Sequence, residues 1–360
     1  MIITQTPLRM SFFGGGTDLE EFFRENGGAV LSTTFDKYCY VNVRHLPRFF
    51  EYTTELSYSK IERVNELEKI EHPAIRNAMK MLDMHEIRLT YEADLPARSG
   101  LGTSSSFAVG MLNAFHALKG KYASKKKLAD EAIFLERNLC GEAGGWQDQI
   151  AASFGGFNRI NFSEKGYEVL PVIISPERKK RLNANLMMFF VGFTRFSSDI
   201  QKANKIGAKE KNGQLKEMYA LVDEAEHVLT DSHINLDEFG RMMDYTWKLK
   251  RQLGSAISTS DIDEYYERGI KAGALGGKLL GAGGGGFLVF YVQPEMQGSV
   301  YDAMRDLMYI PFEFEDMGTR VIHYMPETYE MREQDCRRNT PDENSDHGRG
   351  KGNPYFHCRK

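Results

Sequence analysis

Leu95-Pro96-Ala97-Arg98-Ser99-Gly100-Leu101-Gly102-Thr103-Ser104-Ser105-Ser106 is the stretch on which the reading of this chain turns. Pro96, Gly100 and Gly102 forbid regular structure over its first half. Hydroxyl residues then open the apolar run Phe107-Ala108-Val109-Gly110-Met111-Leu112-Asn113-Ala114-Phe115. This is the layout of a tight loop feeding a helix N-terminus. Such an end carries unpaired backbone N–H groups and the positive pole of the helix dipole. Glycines let a ligand come close to that backbone, and the natural guest is an anion, phosphate above all. The hydroxyls suit a helix cap, a phosphate donor or a magnesium ligand. No Gly-Lys-Ser/Thr follows, so this is not the usual P-loop. Taken alone, the stretch reads first as an ordinary Gly/Ser turn; its weight comes from the segments around it.

The chain has 360 residues, enough for two domains, with 41% apolar and 27% charged residues. A net charge of −4 gives no case for nucleic acid or an anionic membrane as an obligate partner. The start, Met1-Ile2-Ile3-Thr4-Gln5-Thr6-Pro7, lacks the pattern of a signal peptide, and no apolar run is long enough to span a bilayer. Cys39, Cys140, Cys336 and Cys358 are scattered without a Cys-x-x-Cys pair. A reducing cytoplasm is the expected compartment.

Before the central loop, residues 2–13 read as a strand whose Pro7 implies an edge position or an interruption. It runs into Gly14-Gly15-Gly16-Thr17-Asp18, where Leu19 breaks the dinucleotide spacing. Asp18 is expected to cap a short helix, to grip sugar hydroxyls, or both. Residues 28–35 and 38–43 read as a hairpin turned at Asp36-Lys37, and 65–83 as helical.

After the loop, Ser124 to Leu139 reads as one helix, with Leu128, Ala132, Leu135 and Leu139 in a stripe and Glu136 at its edge. Glu136 suits a salt-bridged boundary position or a cation site. Gly141-Glu142-Ala143-Gly144-Gly145-Trp146-Gln147-Asp148-Gln149 places Asp148 where a new helix begins, a cap or a catalytic acid. Residues 171–181 are the best linker candidate. A buried strand at 186–191 opens the second half, and Arg195 follows in a loop. From 199 to 253 the chain reads as helical with solvated charged faces. Gly276 to Gly286 is a second Gly-rich element, read as lying between a helix and a strand, with backbone set directly against a ligand or another segment. Beyond about Glu330 apolar periodicity ends, and residues 331–360 are expected to be a disordered tail.

Three elements thus stand in order: Pro7-x-Arg9-x-Ser11-x-x-Gly14-Gly15-Gly16-Thr17-Asp18, the central loop, and the C-terminal glycine loop. Together they resemble the GHMP kinases over roughly residues 1 to 325. Gly-Gly-Gly-Thr-Asp and Gly-Gly-Trp-Gln-Asp-Gln are similar to the sugar-1-kinase branch, with its heptose 7-phosphate kinases and fucokinase domains, and Ser32-Thr33-Thr34-Phe35-Asp36-Lys37-Tyr38 with the compact length is more similar to the heptose enzymes. The resemblance implies an α+β, two-domain fold: an N-terminal half like ribosomal protein S5 domain 2 (residues 1–180) and a ferredoxin-like C-terminal half (residues 181–330).

The resemblance also implies ATP with Mg2+ and transfer to the C1 hydroxyl of a sugar, D-glycero-D-manno-heptose 7-phosphate first. A free fuco- or galacto-sugar is the alternative within the class, and a catalytically silent sensor the alternative outside it. Pro96, Ser99, Gly100, Leu101, Gly102, Thr103, Ser104 and Ser105 would wrap the triphosphate, and Ser104 and Glu136 would hold magnesium. Asp148 would be the catalytic carboxylate, contacted by Arg9. Gly15, Gly16, Thr17, Asp18, Arg195, Gly283 and Gly284 would contact substrate, with Arg195 and Lys37 candidates for a second phosphate. The expected partner is a small sugar or sugar phosphate, neither nucleic acid nor membrane, and the sequence leaves monomer and homodimer both open.

Overall fold

Gly28–His45 is a single strand of 18 residues, β2, and the first sheet is built around it. The expected hairpin at Asp36-Lys37 does not form. That pair has no glycine to supply the positive φ of a two-residue hairpin turn, and β2 absorbs it as a bulge. Pro7 of β1 (Ile2–Phe13) faces Tyr38, and the next residue, Leu8, faces Phe35. The bulge also explains Pro7. β1 is not an edge strand: it lies between β2 and a strand from the far end of the chain, which accompanies it only as far as Gln5. The missing N–H of Pro7 thus falls where the ladder is already broken.

The structure, a computed structural model, describes residues 1–47, 49–97, 99–192, 212–254 and 257–326. Arg195 and the tail expected over 331–360 lie outside these residues. Besides β1 and β2, the first sheet contains β3 (Thr54–Ser57), β4 (Ile61–Val64), β5 (Ile87–Ala93), β6 (Asn158–Ser163) and β7 (Gly166–Pro171). Its helices are α1 (Glu20–Asn26), α2 (Pro73–Met81), α3 (Thr103–Leu118), α4 (Lys125–Ile133) and α5 (Gln147–Phe154). The expected helix over 65–83 shrinks to α2 and one short turn, because Pro73 opens a helix where its missing N–H costs nothing. α3 is buried almost all round, hence its continuous apolar run. Its Gly110 sits on β1, where a Cβ would meet Thr6 Oγ1 at 2.7 Å.

The proposed linker at 171–181 is partly helix: Ser175 caps α6 (Pro176–Ala184) by accepting from the Arg178 N–H at 3.2 Å. Then come β8 (Leu186–Phe190), α7 (Asn212–Thr230), α8 (Asp237–Gln252), α9 (Ser260–Lys271), β9 (Gly276–Leu279), β10 (Phe287–Tyr291), α10 (Gln297–Ala303) and β11 (Met308–Ile310). The four strands pair antiparallel in the order β11-β8-β10-β9, the ferredoxin-like arrangement. The second glycine loop therefore joins two strands, not a helix and a strand as its sequence suggested. Gly276-Gly277 start β9 because they lie under α8 and β10: a Cβ on Gly276 would meet the Gly240 carbonyl at 1.9 Å.

The division at residue 180 is crossed in both directions. β12 (Phe314–Glu315) pairs with β2, and β13 (Arg320–Tyr324) pairs with β1. One hydrophobic core joins the halves, with Leu8, Met10 and Phe12 packed with Val222, Phe239, Phe287 and Val289. Phe12 meets Phe239 edge-on at 5.2 Å.

Candidate active site

Arg9 lies in the middle of β1 and is 5% exposed. A buried guanidinium must be paired. Arg9 Nε donates to Asp148 Oδ1 at 2.7 Å and Nη2 to Oδ2 at 2.9 Å, a bidentate fork. Nη1 donates to the Gly100 carbonyl at 2.6 Å, and the Arg9 backbone N–H donates to Leu101 O at 3.1 Å. Arg9 thus holds both the carboxylate and the central loop. Asp148 stands in the first turn of α5, yet Trp146 occupies the cap position and no side chain caps the helix. Gly102, at φ +74°, lets the loop lie against the pair; a Cβ there would be 3.2 Å from Arg9 Cγ and 3.4 Å from Asp148 Oδ2.

Asp18 is 2% exposed and does not cap α1 either, since Leu19 holds that position. Its Oδ1 accepts from the Gly16 N–H at 3.0 Å and its Oδ2 from the Gln147 N–H at 3.3 Å. Gly145 is required for this: a Cβ there would lie 1.8 Å from Asp18 Oδ2. Burial first, and repulsion from Asp148 second, raise Asp18 above the usual carboxylate range. The two acids therefore stand close together, one held by an arginine and the other by backbone amides.

Glu136 belongs to a π-helical turn, Phe134–Leu139, that continues α4, and it is 1% exposed. Ser105 Oγ donates to it at 2.8 Å, Ser104 Oγ at 3.3 Å, and the Gln149 amide also donates. The nearest cation, Arg137, stands 3.9 Å off. Burial pushes Glu136 up to about 7, with Arg137 opposing and Glu142 adding to the rise. No group of three or more His, Cys, Asp or Glu residues among the described ones could form a metal cage. One exposed hydroxyl, Ser104, beside one under-neutralised carboxylate fits magnesium, which keeps most of its waters. Near the N-terminus of α3, Ser99 Oγ and Thr103 Oγ1 are buried without a partner among the described residues, which fits hydroxyl donors reserved for an anion.

The second glycine loop, expected over Gly281 to Gly286 to support the phosphate region, touches the first through its two ends. A Cβ on Gly281 would be 2.2 Å from Gly100 Cα, and one on Gly286 2.1 Å from Ser99 O. Gly283 and Gly284, expected at the substrate, pack on Ile257 instead, with the Gly284 N–H donating to its carbonyl at 3.1 Å. Thr17 also departs from expectation. Fully buried, its hydroxyl donates to Gly14 O and Ala29 O, both at 2.8 Å, and so fixes the Gly14 turn. Lys37, a candidate for a second phosphate, donates to its neighbour Asp36 at 2.8 Å. Gln149, Lys250 and Lys278 were not singled out from sequence. Gln149 stands in the same tight run as Asp148; Lys250 sits in a helix whose charges read as solvated, and Lys278 in the second glycine-rich element, where the glycines and not the lysine carry the signal.

The description "GHMP kinases N terminal domain" fits residues 67–156, and "GHMP kinases C terminal" fits residues 221–310. The D-glycero-alpha-D-manno-heptose 7-phosphate kinase of Campylobacter jejuni is 31% identical over 84% of this chain and 93% of its own length. The chain belongs to the GHMP kinase family. It is an ATP-dependent kinase. Among other GHMP relatives, the bifunctional fucokinase/GDP-fucose pyrophosphorylase of Arabidopsis thaliana is 26% identical over 79% of this chain, which spans 29% of that longer protein. A crystal structure titled as a D-glycero-D-manno-heptose 1-phosphate kinase from Bacteroides thetaiotaomicron superposes with a TM-score of 0.73, covering 90% of this chain and 99% of that one. At 23% identity it shows the GHMP fold alone. Among the described residues, no helix is long and apolar enough to cross a membrane.

Proposed function

We propose that this kinase phosphorylates the anomeric hydroxyl of a sugar, with D-glycero-D-manno-heptose 7-phosphate as acceptor and the 1,7-bisphosphate as product. The observation that carries the reading is the Arg9–Asp148 fork set beside Asp18 at the N-terminal end of α3. A carboxylate fixed next to an anion-binding helix end is what transfer from a nucleotide to a hydroxyl needs. Similarity to the Campylobacter jejuni heptose kinase supports the choice of acceptor.

In this reading the loop from Pro96 to Ser105 and the first amides of α3 bind the triphosphate. Ser104 and Glu136 hold Mg2+, which when bound neutralises phosphate charge. Asp18 accepts hydrogen bonds from sugar hydroxyls and orients the ring. Asp148 accepts the proton of the C1 hydroxyl, whose oxygen forms the new bond to the γ-phosphorus as the bond to ADP breaks. Arg9 fixes the angle of Asp148, and its bond to the Gly100 carbonyl ties that angle to the loop.

A free fuco- or galacto-type sugar is the second reading, favoured by the engagement of Lys37 with Asp36 and by the fucokinase relative. ADP release measured with Mg-ATP and D-glycero-D-manno-heptose 7-phosphate, L-fucose or D-galactose separates the two. A kcat/KM at least about tenfold higher for the phosphorylated heptose supports the first. Preference for either free hexose overturns it.

A further inference from the structure

Three cationic side chains converge where the two glycine loops touch. Arg9 Nη1 donates to Gly100 O; Lys250, in the last turn of α8, donates to Gly281 O and, at 3.4 Å, to Leu279 O; Lys278, in β9, donates to Phe12 O at 2.6 Å. Gly100 and Gly281 are in direct backbone contact, so the first two cations flank one junction. Their neutralisation differs. Arg9 has Asp148. Lys278 is 3% exposed and sealed under β1. Lys250 is half-buried, hydrogen-bonded to neutral carbonyls and set over the Trp247 ring at 6.0 Å, with no carboxylate at salt-bridge distance among the described residues. An ammonium has three donors, and the carbonyls occupy two.

We propose that the Lys250 ammonium group binds a phosphate oxygen of the substrate at the acceptor end of the cleft. A largely desolvated cation held by carbonyls and by a ring at the limit of cation–π distance, without a counter-charge, is a poor device for stability, whereas an anionic ligand would complete it. Burial, then the positive charge of Arg9, lower Lys250 to about 8, while Asp18 acts in the opposite direction. An incoming anion therefore gains a partner that the folded protein has not neutralised. The inference rests on the sugar-kinase reading above. Two sources share the chemistry: a phosphate already on the acceptor, or the phosphoryl group in transfer.

Lys250→Met and Lys250→Arg test it, with Lys248→Met as control, since Lys248 lies on the exposed side of α8 paired with Asp244. If the acceptor's own phosphate is the ligand, Lys250→Met raises KM for the phosphorylated heptose at least about tenfold relative to KM for ATP, and Lys250→Arg recovers most of the loss. If the transferred group is the ligand, kcat falls at least about tenfold with every acceptor. Equal kinetic constants in Lys250→Met and Lys248→Met overturn the inference. Should Lys250→Met fail to fold, acetylation of Lys250 in the wild-type enzyme, read by mass spectrometry, decides. Protection by the heptose phosphate or inorganic phosphate supports the first source, and protection only with Mg-ATP and acceptor together supports the second. No protection by any of them overturns both. A wild-type enzyme that turns over no sugar, yet whose Lys250 is protected by inorganic phosphate, fails the sugar reading and not this one.

Discussion

Arg9 and Asp148, 139 residues apart in sequence, meet through two parallel hydrogen bonds while the third guanidinium nitrogen holds Gly100 O. Removing charge and changing shape therefore have separable effects. Asp148→Asn is expected to lower kcat by about 100-fold or more with ATP affinity unchanged. Arg9→Lys cannot form the fork and the loop contact together, and should lower kcat by roughly 10- to 100-fold. Steady-state kinetics with calorimetric ATP titration check both; near-normal turnover by Asp148→Asn would falsify its role as base.

Glu136→Gln keeps the shape of the site and removes its charge. The Mg2+ concentration for half-maximal rate should rise at least about tenfold. A variant with unchanged magnesium dependence would place the metal elsewhere.

The same carboxyl sets a pH signature in the metal-free protein. Its folded pKa, about 7, lies above the ordinary 4.5. The folded state therefore binds the proton more tightly, so the stability this group contributes is fully present below pH 4.5 and is lost as pH rises through about 7. Urea midpoints measured from pH 5 to pH 8 should fall more steeply for wild type than for Glu136→Gln, and Mg2+ should reduce the difference. Parallel curves would contradict the assignment.

Gly100→Ala and Gly281→Ala place a Cβ 2.4 Å from Leu280 O and 2.2 Å from Gly100 Cα, at φ +81° and +80°. Neither backbone can yield without opening the junction of the halves. Each substitution should cost more than about 2 kcal/mol in denaturant unfolding. Gly283→Ala, against Ile257 and away from that junction, should spare ATP binding far better than either.

Gly145→Ala forces a methyl onto Asp18 Oδ2. KM for the acceptor should rise at least about tenfold, with KM for ATP within about twofold. A rise in the ATP constant alone would remove Asp18 from the acceptor side.

How much of this was legible depends on which residues are costly to misplace. Arg9, Asp148, Glu136 and the central loop are reached through the resemblance of their motifs to the GHMP kinases, and the fold brings Arg9 to Asp148 and the loop's serines to Glu136. The Asp36-Lys37 bulge could not, since it exists only through its register with Pro7 and Leu8. Composition also gave no means of separating Gly281 and Gly286, which touch the central loop, from Gly283 and Gly284, which touch Ile257. Lys250 stands in a helix where Glu238, Arg241, Lys248 and Arg251 are exposed, and only the tertiary fold turns it inward.

The outer partner of the first strand comes from the far side of the second half. Ile2 pairs with Tyr324 and Gln5 with Arg320, while Phe314 and Glu315 join β2. Until residue 324 has left the ribosome, the outer side of β1 is an open edge able to pair with another nascent chain. Synthesis order and folding order are thus in conflict in this protein.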